Sequence, residues 1–319
     1  MYFIVPTLRQ IQMVRALAEH RHFTRAANGL GVTQSALTKS VQALEDELGV
    51  RLFDRGAGTL EPTMFGAIVL AQGRTVLREM SELVREIDLA RGLETGGITV
   101  SASVFPAELW APQALGRLAG AHPKLTCVLR TLDSKQAVDD VSEGISDIAI
   151  ADATEAEGRE NLDSEILATT PMSLFCRSTH PLARRKSLRP EDFLGYPFAG
   201  PPLSRALARR NLGKFGKIAL SVSPHEQLTP RISVGSFSAM VQAVLHSDAV
   251  GWAPDSLFAG HAKDGGLTVL RVWDLTISAT FALYARRHRT LSPATVEFIK
   301  LVRAMQPSAA SPAASRLVP

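Results

Sequence analysis

The sequence predicts an α+β, multi-domain chain, with a winged helix-turn-helix at the N-terminus, one long dimerisation helix, and a two-lobed α/β domain making up the rest. Three observations predict it. At 319 residues and 45% apolar content the chain exceeds one core and can fill more than one. Residues 64–94 carry an unbroken helical pattern without proline. After Gly96-Gly97 the rhythm changes to short apolar strands alternating with helical patterns, which predicts a mainly parallel sheet covered on both faces.

The boundaries that follow are 1–65 for the winged module, 66–94 for the linker helix, and 95–97 for a hinge. The large domain then spans 98–306, with one lobe from 98–168 and 270–306 and the other from 169–269. The tail 307–319, rich in Ser, Ala and Pro, reads as disordered.

In the first module, Thr24 is placed to cap a short helix whose Ala26, Ala27 and Leu30 turn inward. Gly31 breaks it and Thr33 caps the next. There Leu37, Val41, Leu44 and Leu48 form the apolar stripe, so Gln34, Ser35, Thr38, Lys39 and Gln42 share the opposite face. Such a face is either simply solvated or built to meet base edges, since amides and hydroxyls both donate and accept. Two short helices around a glycine turn, followed by a glycine-tipped hairpin bearing Arg51 and Arg55, favour the second reading. The second helix enters a major groove, and the hairpin arginines meet the backbone. Bulk charge does not decide the matter, because residues 1–65 hold seven Lys/Arg against six Asp/Glu and the whole chain is only +4.

Along the linker helix Val69, Val76, Leu83 and Ala90 recur every seven residues, interleaved by Gly73, Met80 and Ile87. A stripe of that kind on a helix about 45 Å long needs a partner, either a second copy of the chain or its own domain. Val69, Val76, Met80, Leu83 and Ile87 are the expected dimer contacts. ITVSAS, LTCVLR, DIAIAD, SLFCRS and TFALYAR are the expected strands of the large domain, with Cys127 and Cys176 as small apolar residues inside two of them.

Residues 8–55 resemble the winged helix-turn-helix of LysR-type transcriptional regulators nearly position for position: FTRAA, TQSAL, LE-x-ELG and LF-x-R, followed by Pro62-Thr63 and Gly66. His22 stands where serine is usual, and Thr38-Lys39 replaces the usual Ser-Arg. The rest of the chain resembles the family's periplasmic-binding-protein-like effector domain more weakly, through SVFPAELWAP, LDSKQAVDDVSEGISDIAIAD, THPLA, PFAGPPLSRAL and VGSFSAMVQAVLHSDAVGWAP, with Asp248 where glycine is common.

The resemblance implies double-stranded DNA as one partner, a small organic effector between two lobes as another, and a homodimer or homotetramer, with RNA polymerase a further partner. It places Ser103, Val104, Phe105, Ser134 and Asp152 at the effector on one lobe, and Phe198, Arg205, Ser236 and Phe237 on the other. The serines at helix starts and the Arg205 guanidinium favour an anion, a carboxylate or an aromatic acid; caps for the serines and core for the phenylalanines are the alternative roles.

No nucleophile elbow, phosphate-binding glycine loop or metal-spaced histidines occur, so neither an enzyme, a metal site nor a cofactor is expected. No long apolar span or cleavable leader pattern is read, which gives a cytoplasmic protein with no membrane partner. The expected function is DNA-binding transcription regulation, with activation favoured; the rival is a small-molecule carrier of the same two-lobed fold.

Overall fold

The computed structural model describes residues 5–55, 60–91, 96–203, 220–222, 228–261, 266–273 and 277–306. By internal contacts the chain divides into two compact units, Met1–Arg85 and Glu86–Pro319.

The N-terminal unit comprises α1 (Leu8–His20), α2 (Phe23–Gly29), α3 (Gln34–Leu48), the antiparallel hairpin β1 (Phe53–Arg55) and β2 (Leu60–Pro62), and most of α4 (Met64–Arg91). Thr7 starts α1 with a capping box to Gln10. Thr33 caps α3 by accepting from Ala36 N, and Gly49 ends it in the left-handed conformation (φ 67°) that costs glycine little. Leu17, Ala26, Leu37, Val41, Leu44 and Leu52 are among the residues closing the core. The expected Thr24 cap is corrected: His22 is the N-cap, its Nδ1 accepting from Thr24 N, and the helix begins one residue before Thr24.

The linker expectation is refined in two places. Val69 packs against the N-terminal core instead of joining a free seam. A Cβ on Gly73 would lie 2.6 Å from Ile11 Cγ2, so this glycine lets α4 sit against α1. The hinge at 95–97 is also corrected. Gly96 and Gly97 are ladder residues of β3 (Gly96–Ser103), opposite Leu125 and Thr126 of β4 (Leu125–Leu132), and a Cβ on Gly97 would come 3.1 Å from Thr126 O.

In the C-terminal unit the described strands follow one path. Its order is β10 (Ile232–Ser233), β7 (Phe198–Gly200), β11 (Val250–Pro254), β6 (Leu162–Arg177), β13 (Ile277–Arg286), β5 (Ile148–Asp152), β3, β4. Beside β6 lies β12 (Leu267–Leu270), and β8 (Leu220–Val222) pairs with β9 (Leu228–Pro230) apart from it. The mainly parallel sheet is corrected. Two parallel triplets, β4-β3-β5 and β10-β7-β11, are joined by antiparallel pairings through β6 and β13.

Alternation along β5 sends Ile148 and Ile150 into the main core and Ala149 and Ala151 into a second cluster. Helix α7 (Ser134–Ser142) fills that second side with Ala137, Val138 and Val141. The first side takes α6 (Ala111–Ala121), preceded by the one-turn α5 (Pro106–Leu109), and α10 (Pro293–Ala304). In the other lobe, α8 (Phe237–Leu245) packs on β7 and β11, and α9 (Asp255–His261) follows β11. The boundary expected at 168/169 falls inside the single strand β6.

Both cysteines are free and lie on strands, Cys127 half-buried on β4 and Cys176 buried on β6, and burial pushes both thiols up. Among the described residues no helix is long and apolar enough to cross a membrane.

Candidate nucleic-acid face and effector site

Gln34, Ser35, Lys39 and Gln42 are exposed along α3, and Thr38 is half-exposed; Leu37, Val41 and Leu44 are buried on the opposite side. Local hydrogen bonds already occupy part of this polar face. Thr38 Oγ1 donates back to Gln34 O at 2.9 Å, which engages its hydroxyl within the helix. The Thr33 and Ser35 hydroxyls pair at 3.1 Å. Thr24 Oγ1 of α2 donates to Gln34 Oε1 at 3.0 Å. Among the described residues neither Lys39 nor Gln42 makes a side-chain hydrogen bond, so these two stand ready for a partner, with the Gln34 amide nitrogen.

Glu45, an acid near the end of α3, has a role the sequence did not reveal. Its Oε1 accepts from Leu52 N at 2.7 Å and from Phe53 N at 3.3 Å, tying the base of the hairpin to α3. Arg51 is exposed, and Thr63 Oγ1 donates to its carbonyl at 2.7 Å. The Arg55 side chain and the hairpin tip 56–59 lie outside the described residues.

In the C-terminal unit, strand direction brings the effector candidates together. β5 runs parallel to β6 through β13: its last residue, Asp152, opposes Phe281, which opposes Ala168 of β6. β11 runs the other way, and its last residue, Pro254, opposes Met172 of β6. The carboxyl ends of the two triplets therefore face each other across four residues of β6, about 13 Å of strand. Crevices outside strand carboxyl ends are where open parallel sheets bind ligands.

Ser103 ends β3, Ser134 follows β4, and Asp152 ends β5, all at that edge; Ser134 Oγ reaches Asp152 N at 3.5 Å. Ser103 is 6% exposed. Its hydroxyl makes no side-chain hydrogen bond among the described residues. Across the gap, Ser236 and Phe237 follow β10.

Several predicted contacts turn out to serve the fold. Asp133, not Ser134, caps α7, its Oδ1 accepting from Gln136 N at 2.8 Å. Ser236 caps α8 by accepting from Ala239 N at 3.2 Å. Val104 and Phe105 are buried in the main core. Phe198 and Phe237, 2% and 5% exposed, pack in the core, Phe198 against Phe193 and Trp252 and Phe237 against Phe175 and Phe258, because the apolar strand and helix faces that carry them point into the second lobe. Arg205 lies outside the described residues.

Two groups were missed, because each depends on a contact between separate segments, Arg177 with Asp248 in one and Arg159 with Asp139 in the other. The Asp248 that stands out in the sequence pairs with Arg177 at 2.7 Å, while Arg177 Nε donates to Ser247 O at 3.1 Å, so the carboxylate fastens the end of β6 to the turn before β11. Beside Asp152, Glu155 is 11% exposed and lies 3.9 Å from Arg159, whose guanidinium is drawn 2.7 Å from Asp139. Burial pushes the Glu155 carboxyl up to about 7; Arg159 opposes this, and Asp152 and Asp133 reinforce it. Tyr284, which donates to Asp152 O at 2.6 Å, is also pushed up by burial.

A carboxyl held above its unfolded value of 4.5 binds more protons in the folded than in the unfolded state between pH 4.5 and about 7. Stability must therefore fall as pH rises through that window. Glu155→Gln is expected to raise the thermal stability of the C-terminal unit at pH 8 by on the order of 1–3 kcal/mol and to flatten its dependence on pH between 5 and 8. An unchanged slope in calorimetry assigns the titration to another group.

Two family models match the chain. One, described as "Bacterial regulatory helix-turn-helix protein, lysR family", covers residues 8–67. The other, "LysR substrate binding domain", covers residues 91–307. The chain is 34% identical over 299 residues to the SDS degradation transcriptional activation protein of Pseudomonas sp. (strain ATCC 19151), spanning 90% of this chain and 92% of that protein. It is 27% identical over 301 residues to the HTH-type transcriptional regulator GbpR of Azospirillum brasilense, spanning 93% and 86%. Among solved structures the fold is similar to that of CbnR, a LysR family transcriptional regulator, at a TM-score of 0.56 and 19% identity over 94% of this chain and 99% of that one. CbnR complexed with its target DNA gives 0.55 and 21% over 94% and 100%.

Proposed function

The chain belongs to the LysR-type transcriptional regulators, DNA-binding transcription factors and not enzymes, and from that premise we propose how this member divides its work. The α3 face reads the major groove through the Gln34 nitrogen, Lys39 and Gln42, with Thr33, Ser35 and Thr38 close by, while Arg51 and Arg55 of the wing meet phosphates. The observation that carries this reading is the exposed, acid-free stretch of α3 from Gln34 to Gln42, opposite a fully packed apolar face.

Two protomers join through α4, setting two heads on an inverted repeat, and pairs of dimers bridge two such sites in the cytoplasm. A small organic anion occupies the gap between the triplet ends, with Ser103, Ser134 and Asp152 on one side and Ser236 on the other. The countercharge falls to Arg205, since the first lobe contributes hydroxyls and acids there. Closing the lobes shifts the population of DNA-bound arrangements and the contact with RNA polymerase, and the net effect is activation. The relative named a transcriptional activation protein supports that direction. A carrier of the same fold is disfavoured because a helix-turn-helix precedes the two-lobed domain.

A crossed pair of variants tests the division. Lys39→Ala is expected to weaken operator binding about tenfold and to make the slope of log affinity against log salt shallower by about 0.9, with ligand-induced thermal shifts kept. Ser103→Ala is expected to lose those shifts, screened with small carboxylates, phenols and an alkyl sulfate, and to keep DNA affinity. Loss of both functions in either variant rejects the division.

A further inference from the structure

Thr24 is not on the recognition helix, yet its hydroxyl donates to Oε1 of Gln34, the first residue of that helix. Resting on the reading that α3 enters the groove, we propose that Thr24 is a positioning residue that fixes which end of the Gln34 amide reads the DNA. It makes Gln34 a donor that selects a base edge of acceptors, guanine O6/N7 or thymine O4, and disfavours adenine.

The argument is one of hydrogen-bond inventory. A free glutamine amide offers an acceptor oxygen with two lone pairs and two N–H donors, and this mixed pattern is what pairs bidentately with adenine N6 and N7. In this chain Thr24 takes one lone pair of the amide oxygen and draws that oxygen toward α2, so the end left unengaged among the described residues is Nε2 with its two hydrogens. Thr24 is itself held. His22 Nδ1 accepts from Thr24 N at 3.2 Å, which fixes the backbone at the start of α2, and Ala26 and Ala27 bury that helix against α3. Neighbouring hydroxyls do not compete for the oxygen, since Thr38 Oγ1 goes to the Gln34 carbonyl and Ser35 pairs with Thr33. In free protein the Thr24–Gln34 bond is open to water. Entry into the groove removes that water, and the bond then decides the amide's orientation when the base is met.

The test selects duplexes from a randomised pool with the full-length wild-type chain and then compares variants on single-base-pair substitutions of the selected site. Gln34→Ala should flatten preference at one base pair per half-site, which identifies the position Gln34 reads. At that position the wild type should prefer guanine or thymine on the contacted strand. Thr24→Ala should shift preference there toward adenine by about tenfold, the scale of one well-made bidentate pair, with other positions unchanged. Thr24→Ser, which restores the hydroxyl, should recover the wild-type pattern, and Thr24→Ala should add nothing in a Gln34→Ala background. A uniform loss of affinity in Thr24→Ala with every base preference intact would mean that Thr24 only supports α2, and overturns the proposal. So does a wild-type preference for adenine at the Gln34 position. If the wild type enriches no sequence, the groove-reading premise itself falls, and this inference with it.

Discussion

Replacing Gly66 with alanine is expected to destabilise the N-terminal unit by more than about 3 kcal/mol and to abolish specific DNA binding, while the C-terminal unit keeps its fold. Gly66 lies buried in the first turn of α4, where an added Cβ would sit 2.0 Å from Leu52 O and 3.3 Å from Pro62 Cβ. Relief by a shift is blocked on both sides. Leu52 O already accepts from Thr63 N at 2.9 Å, Thr63 Oγ1 donates to Arg51 O at 2.7 Å, and Gly66 N donates to Thr63 Oγ1 at 3.1 Å. Those bonds set the angle at which α4 leaves the hairpin, and Glu45 ties the same hairpin to α3. Any movement that admits the methyl therefore reaches the recognition helix. Gly116→Ala serves as the control: it makes the same change within α6, its Cβ meets nothing within 4 Å, and alanine is the better helix former by about 1 kcal/mol. Hydrogen exchange over residues 8–62 and fluorescence anisotropy with operator DNA would check the result. A Gly66→Ala protein that exchanges and binds like the wild type would show that the junction is more compliant than its hydrogen bonds imply.

Much of this architecture was legible because local chemistry and tertiary need agree over residues 8–55. The Thr33 cap and the Leu37-Val41-Leu44 stripe each depend on neighbours within a few residues, so sequence spacing suffices. The large domain was readable strand by strand but not in its pairing. Nothing in LDSEILATTPMSLFCR announces that one strand of 16 residues serves both lobes, because a strand's partners are chosen by the whole sheet.

Site residues divide along the same line. Gln34, Lys39 and Gln42 follow from helical geometry alone. Arg159 with Asp139, Asp248 with Arg177, and Thr24 with Gln34 are set by contacts between segments with no shared periodicity. Phe198 and Phe237 show the converse limit, since an apolar residue near a strand end fits a ligand wall and a core equally well until its neighbours are known.

Substituting both Leu83 and Ile87 with glutamate is expected to convert the protein to a folded monomer. Along α4, Val69 and Gly73 are spent on the chain's own N-terminal core, but Val76, Met80, Leu83 and Ile87 follow at helical spacing and remain 42%, 40%, 51% and 44% exposed, with Val84 beside them at 56%. A continuous apolar strip on a 28-residue helix is costly to leave in water, and an identical strip on a second copy covers it with the least new machinery. Because both side chains face solvent within the protomer, glutamate there leaves the protomer's packing alone. In a paired seam the double variant places four carboxylates among apolar neighbours, and each unpaired charge costs several kcal/mol. Dimer dissociation should therefore strengthen by more than about 1,000-fold, since about 4 kcal/mol corresponds to that ratio. Sedimentation velocity reads the change directly, and circular dichroism confirms that the fold persists. Operator affinity should fall to that of a single half-site, because two heads held at fixed spacing bind with an effective concentration that one head lacks. A variant that sediments as a dimer with unchanged affinity would place the association surface elsewhere and leave the α4 strip without a role.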